Sequence, residues 1–134
     1  MKKDISFDPV ENVLLAVARD NPENEEDLWQ VYIINNQTVP LDTVMITSKG
    51  YGEKEGLEQR TSTLRHVIER LESNSYAVIE PIDKAVFHLN NEYWVSYYID
   101  GQIYDKKFIF VPDSLTEENV QYIPELDLHG VLHS

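Results

Sequence analysis

The residues that most constrain this fold are Asp100-Gly101, set between the runs NEYWVSYYI and QIYDKKFIFV. An Asp-Gly pair between two apolar and aromatic runs favours a type I′ turn. Both central positions of that turn need positive φ, which Gly adopts without steric cost and Asp tolerates. A two-residue connection also fixes the pairing register. It sets Ile99 opposite Gln102, Tyr97 opposite Tyr104, Val95 opposite Lys106 and Tyr93 opposite Phe108. Alternation then divides the hairpin into two faces. The face with Tyr93, Val95, Tyr97, Tyr104, Phe108 and Phe110 is the expected core face. The other pairs Tyr98 with Ile103, Ser96 with Asp105, Trp94 with Lys107 and Glu92 with Ile109.

Other segments repeat the strand signal. Val10 to Ala18 is rich in Val and Leu, Leu28 to Asn35 is β-branched and aromatic, and Val44 to Ser48 follows Pro40. Between the first two, DNPENEED reads as an exposed connection, and KGYGEKEGLEQR reads as a mobile loop because of its glycines and charges. The stretch STLRHVIERL is ambiguous. Leu64, Val67, Ile68 and Leu71 have helical spacing, with Ser62 as a cap, whereas a strand would put Ser62, Leu64, His66 and Ile68 on one face. The following LESNSYAVIEPID reads as a turn feeding a strand from Tyr76 to Ile82, which favours the strand. Ser114 and Glu117 stand at capping-box spacing and predict a short helical segment near 115–121, ended by Pro124. With 134 residues and no repeat, the chain is expected to form one domain, 1–134. Seven or eight short strands predict an all-β antiparallel sandwich with a short C-terminal helical segment. The alternative is an α+β fold with residues 62–72 helical.

The order WQVYIINN, VMITS, TSTLRHVI and LESNSYAVIEPID resembles the middle of an immunoglobulin-like sandwich of the arrestin-like or bacterial cell-adhesion-related kind. A strand ending in a polar Asn turn is followed by a paired strand, and a Leu–turn–Ser lead (Leu71, Ser75, Ile79) enters a later one. The resemblance spans roughly residues 28–111. It implies a scaffold for protein contacts and carries over no catalytic residue. The cysteine pair and tryptophan spacing of antibody-type domains are absent.

Composition narrows function. Lys and Arg number 11 against 24 Asp and Glu, giving a formal net charge of -13. Phosphate repels such a chain, so neither nucleic acid nor an anionic membrane is an expected partner. The absence of Cys excludes a disulfide scaffold, thiolate metal sites and thiol catalysis. In MKKDISFDPVENV, Asp4, Asp8, Pro9 and Glu11 break any apolar run after the lysines, and no segment reaches about 18 apolar residues. A soluble, cytoplasmic protein is expected.

No catalytic constellation stands out, so the chain is expected not to be an enzyme, and no metal or cofactor is expected. The acidic segment 20–27 could offer oxygens to a cation, but it lacks EF-hand spacing. Gly50, Gly52 and Gly56 imitate a dinucleotide loop with the last glycine misplaced, and Glu53 and Glu55 would repel a pyrophosphate. His129 and His133 read as tail residues, and His66 as a half-buried strand residue. The expected function is protein interaction or assembly, with a protein partner or a second copy. The surface is the hairpin face carrying Trp94, Tyr98, Ile103 and Lys107, with Lys107 placed for a cation–π contact on Trp94. That face could instead be covered by the C-terminal Ile123, Leu126, Leu128, Val131 and Leu132. Two alternatives are a small-ligand binder or hydrolase-like enzyme using His66, Glu69 or Glu80 in a cleft, and a cation-binding module using 20–27.

Overall fold

A computed structural model describes residues 10–19 and 28–134. Two antiparallel sheets pack face to face, so the chain is an all-β sandwich. One sheet contains β1 (Val13–Arg19), β2 (Trp29–Asn35), β6 (Ser75–Ile82), β9 (Gln121–Ile123) and β10 (Leu128–His133), in the order β6-β2-β1-β10-β9. The other contains β3 (Leu41–Lys54), β4 (Leu57–Arg60), β5 (Leu64–Leu71), β7 (Asn90–Ile99) and β8 (Gln102–Phe110). Its order is β4-β3-β7-β8, and β5 also pairs with β3, on the stretch Leu41 to Ser48.

The β7–β8 hairpin has the expected register, from Ile99 opposite Gln102 to Tyr93 opposite Phe108. Asp100 has φ 49° and Gly101 φ 79°, as a type I′ turn requires. The expected core face is also found. Tyr93, Val95, Tyr97, Phe108 and Phe110 are buried, and they meet Leu15, Val17, Val31 and Ile33 from the facing sheet. A second apolar cluster lies on the far side of that facing sheet, where Ile123 and Leu126 cover Ala16, Ala18, Tyr32 and Ile34.

Several expectations are corrected. KGYGEKEGLEQR is not a loop. β3 runs on through Lys54 and turns at Glu55 (φ 54°) and Gly56 (φ 79°) into β4, a second two-residue hairpin. Charge concealed it, since Glu53 stands opposite Glu58 where an apolar pair would have signalled a strand. Residues 62–72 are not helical: β5 sends His66 and Ile68 toward the core side and leaves Val67 65% exposed on the other. The helical spacing of its apolar residues therefore comes from two strand faces, not one helix stripe. The segment 115–121 holds only one 3₁₀ turn, Glu117–Asn119, and β9 begins at Gln121. The capping box does not form. Thr116 is the N-cap, and the Ser114 hydroxyl donates instead to the Val111 carbonyl at 2.6 Å, closing the preceding turn. His129 and His133 belong to β10 rather than a tail, and His133 packs edge-on against Phe108 at 5.3 Å. Gly130 makes that strand possible, because a Cβ there would lie 2.3 Å from the Val17 carbonyl oxygen. The connection DNPENEED lies outside the described residues.

Asn35, fully buried at the end of β2, ties two crossings between the sheets. Its amide nitrogen donates to Val39, Leu71 and Glu72 carbonyls at 3.0, 3.2 and 3.0 Å, and its oxygen accepts from the Gln37 N–H. The same carboxamide therefore holds the β2–β3 connection and the start of the β5–β6 connection.

Candidate functional site

The outward face of the β5-β3-β7-β8 sheet follows from pleating. Val44, Ile46 and Ser48 point to the core, so Met45 and Thr47 point out, and Trp94, Ser96 and Tyr98 do the same on β7. Register places Thr47 and Lys107 on either side of Trp94, and Met45 and Asp105 on either side of Ser96. Val67 is opposite Met45 on β5.

On this face Trp94 is 47% exposed, Met45 40% and Val67 65%. The Lys107 ammonium lies 4.9 Å from the Trp94 ring centroid, as expected from their pairing. It is also 3.9 Å from the buried Glu92 carboxylate, which receives Lys49 at 3.6 Å. Tyr98 and Ile103 are opposite each other and half-buried. A shallow groove of about 390 Å³ runs across Met45, Thr47, Val67, Trp94 and Ile103, with Arg65 at one side and Asp105 at the other. All four expected surface residues thus share one face. The C-terminal strands do not cover it: Ile123, Leu126 and Val131 are buried on the opposite sheet. Sequence reading missed Met45 and Val67, because the register that brings β3 and β5 beside the hairpin is set by long-range pairing.

A second constellation lies between the sheets. Glu80, on β6, reaches across to the other sheet. Its Oε1 accepts from the Ser48 hydroxyl at 2.8 Å and from His66 Nε2 at 2.7 Å, and its Oε2 accepts from the Tyr93 hydroxyl at 3.2 Å. A carboxylate only accepts, so this contact requires a proton on His66 Nε2. Burial, then the nearby Glu80 charge, raises the Tyr93 pKa far above the ordinary phenol value. Tyr97 is pushed up to about 12, chiefly by burial and then by Tyr104, and among the described residues its buried hydroxyl has no hydrogen-bond partner. Of the three residues considered for a cleft, the structure joins His66 and Glu80 and places Glu69 on the outward face. An adjoining cleft of about 200 Å³ includes Ser48, Glu80 and Tyr93 in its lining. The Ser48 hydroxyl donates to Glu80 rather than to His66, and both carboxylate oxygens already hold donors.

Among the described residues no group of three or more His, Asp or Glu could hold a metal, and no helix is long and apolar enough to cross a membrane. The acidic segment 20–27 lies outside the described residues. Comparison with protein-family models, with curated proteins and with solved structures returned no match.

Proposed function

We propose that this chain is a cytoplasmic, non-enzymatic protein-interaction module acting through the outward β5-β3-β7-β8 face. The observation that carries this reading is Trp94. It is held upright between Thr47 and Lys107, half exposed, and bordered by Met45, Val67 and Ile103. An anchored aromatic with a charged rim is the usual anatomy of an interface hot spot. The four strands that present it are hydrogen-bonded to one another, so little backbone freedom is lost on binding.

The immunoglobulin-like reading of the scaffold finds support in strand order. β2 lies between β1 and β6 in one sheet, while β3, β7 and β8 are consecutive neighbours in the other. This matches the A-B-E and C-F-G arrangement of such domains, with β9 and β10 added beside β1.

The test is the double substitution Trp94→Ala and Tyr98→Ala in the full chain. Either sedimentation or cross-linked capture from the native source should lose complexes formed by the parent chain. An unchanged sedimentation profile together with an unchanged capture list refutes the reading. The hydrolase-like alternative predicts instead that Glu80→Gln abolishes a turnover without touching capture.

A further inference from the structure

The free edge of β8 offers a surface distinct from the outward face. β8 ends its sheet, and among the described residues no strand pairs beyond it. In a two-residue type I′ hairpin the residues flanking the turn, here Ile99 and Gln102, form a hydrogen-bonded pair. Alternate residues from Gln102 onward therefore direct their backbone groups to β7. Ile103, Asp105, Lys107 and Ile109 direct theirs away from it, to the free edge.

Those four side chains also share the outward face, and their order is self-complementary about Lys106. When a second β8 is laid antiparallel with Lys106 opposite Lys106, each Asp105 meets a partner Lys107, and each Ile103 meets a partner Ile109. Charged edge strands ordinarily discourage sheet extension. Here the charges reject neighbouring registers and accept one. Sliding so that Asp105 is central sets Asp against Asp, and centring Lys107 sets Lys against Lys. At the accepted centre the two Lys106 side chains face each other on the opposite side of the sheet. Each Lys106 ammonium lies 4.9 Å from its own Phe108 ring centroid. In an antiparallel pair those two leanings point in opposite directions along the strands, which separates the ammoniums.

We infer that β8 is a homodimerisation edge, with a second copy of this chain as its occupant. Two-fold pairing about Lys106 joins the two sheets through roughly eight backbone hydrogen bonds and two reciprocal Asp105–Lys107 pairs. The Trp94 faces of the two copies then become one continuous surface. The inference stands on the edge pattern and does not require the Trp94 face to bind anything.

Charge exchange tests it by sedimentation equilibrium on the full chain. The parent chain dimerises. Asp105→Lys alone and Lys107→Asp alone each set like charges opposite and weaken the dimer roughly tenfold or more. The double variant Asp105→Lys/Lys107→Asp restores it, and so does mixing the two single variants, which pair only with each other. Matching thermal melts confirm that all variants fold. A parent chain that stays monomeric to its solubility limit overturns the inference, as does a mixture that fails to recover association. Association lost in Trp94→Ala/Tyr98→Ala but indifferent to the charge exchanges also overturns it and places self-contact on the outward face.

Discussion

Glu80→Ala offers the most direct test of how the two sheets are held in register. The substitution removes three acceptor contacts at once, with Ser48, His66 and Tyr93. A hydrogen bond to a charged group contributes about 1.5–3 kcal/mol, and a buried donor left alone costs about 1–3 kcal/mol. The sum overstates the loss for two reasons. The parent state already bears the cost of desolvating a carboxylate whose side chain is only 13% exposed. Water can also reach His66, which is 29% exposed, and solvate it once Glu80 is gone. Tyr93, at 2% exposed, has no such relief. A net destabilisation of about 2–4 kcal/mol follows. For a domain of this length each kcal/mol lowers Tm by about 3–4 °C, so the expected drop is about 6–16 °C. Glu80→Gln keeps the shape and one acceptor and should lose about half as much. Thermal melts followed by circular dichroism read the effect, and a double-mutant cycle with Tyr93→Phe should give coupling of about 1 kcal/mol or more. An alanine variant that melts within about 2 °C of the parent refutes the claim that this carboxylate clips the sheets together.

Three further outcomes are expected. Tyr93 and Tyr97 have raised folded-state pKa values while the unfolded chain ionises near the ordinary 10.0. Their contribution is fully present below that value and declines as pH rises above it, through about 12 for Tyr97. Alkaline titration at the phenolate absorbance should show both rings ionising only with unfolding, and early reversible ionisation of all the tyrosines contradicts this. Gly130→Ala forces a methyl against the Val17 carbonyl and Ala18 backbone and should destabilise by about 2–4 kcal/mol in urea melts, whereas a neutral result excludes the close β1–β10 contact. Gly101→Ala, at φ 79° with open space around it, should cost only about 1 kcal/mol, so a much larger loss in the same melts points to something other than backbone strain.

Legibility from sequence followed the range of the interaction. The Asp100-Gly101 hairpin was readable because turn chemistry, apolar alternation and register all lie within one short stretch, Asn90 to Phe110. The Glu55-Gly56 hairpin has the same turn geometry, but its arms carry charges and glycines, so alternation gave no signal. β5 stayed ambiguous because a strand exposing Val67 on one face and sending Ile68 to the other imitates a helix stripe. Trp94, Tyr98, Ile103 and Lys107 were assigned to one face by the hairpin alone. Met45 and Val67 were not, since nothing local states which strands flank it. Glu80 had its only local sign in being an acid within an apolar strand. Its partners come from β3, β5 and β7, and they meet it only when the sheets close.

The Asn35 carboxamide has a consequence in time rather than in energy. Its bond to Val39 spans four residues and can form as soon as β2 turns, whereas those to Leu71 and Glu72 span 36 and 37. Closing loops of that length precedes any reward from the contacts they bring together. The side chain therefore waits half-satisfied until β5 has docked on β3, and its last bonds mark the moment at which the second crossing is set. A variant at this position should unfold faster far more than it folds slower, making Asn35 a determinant of how long the native state persists.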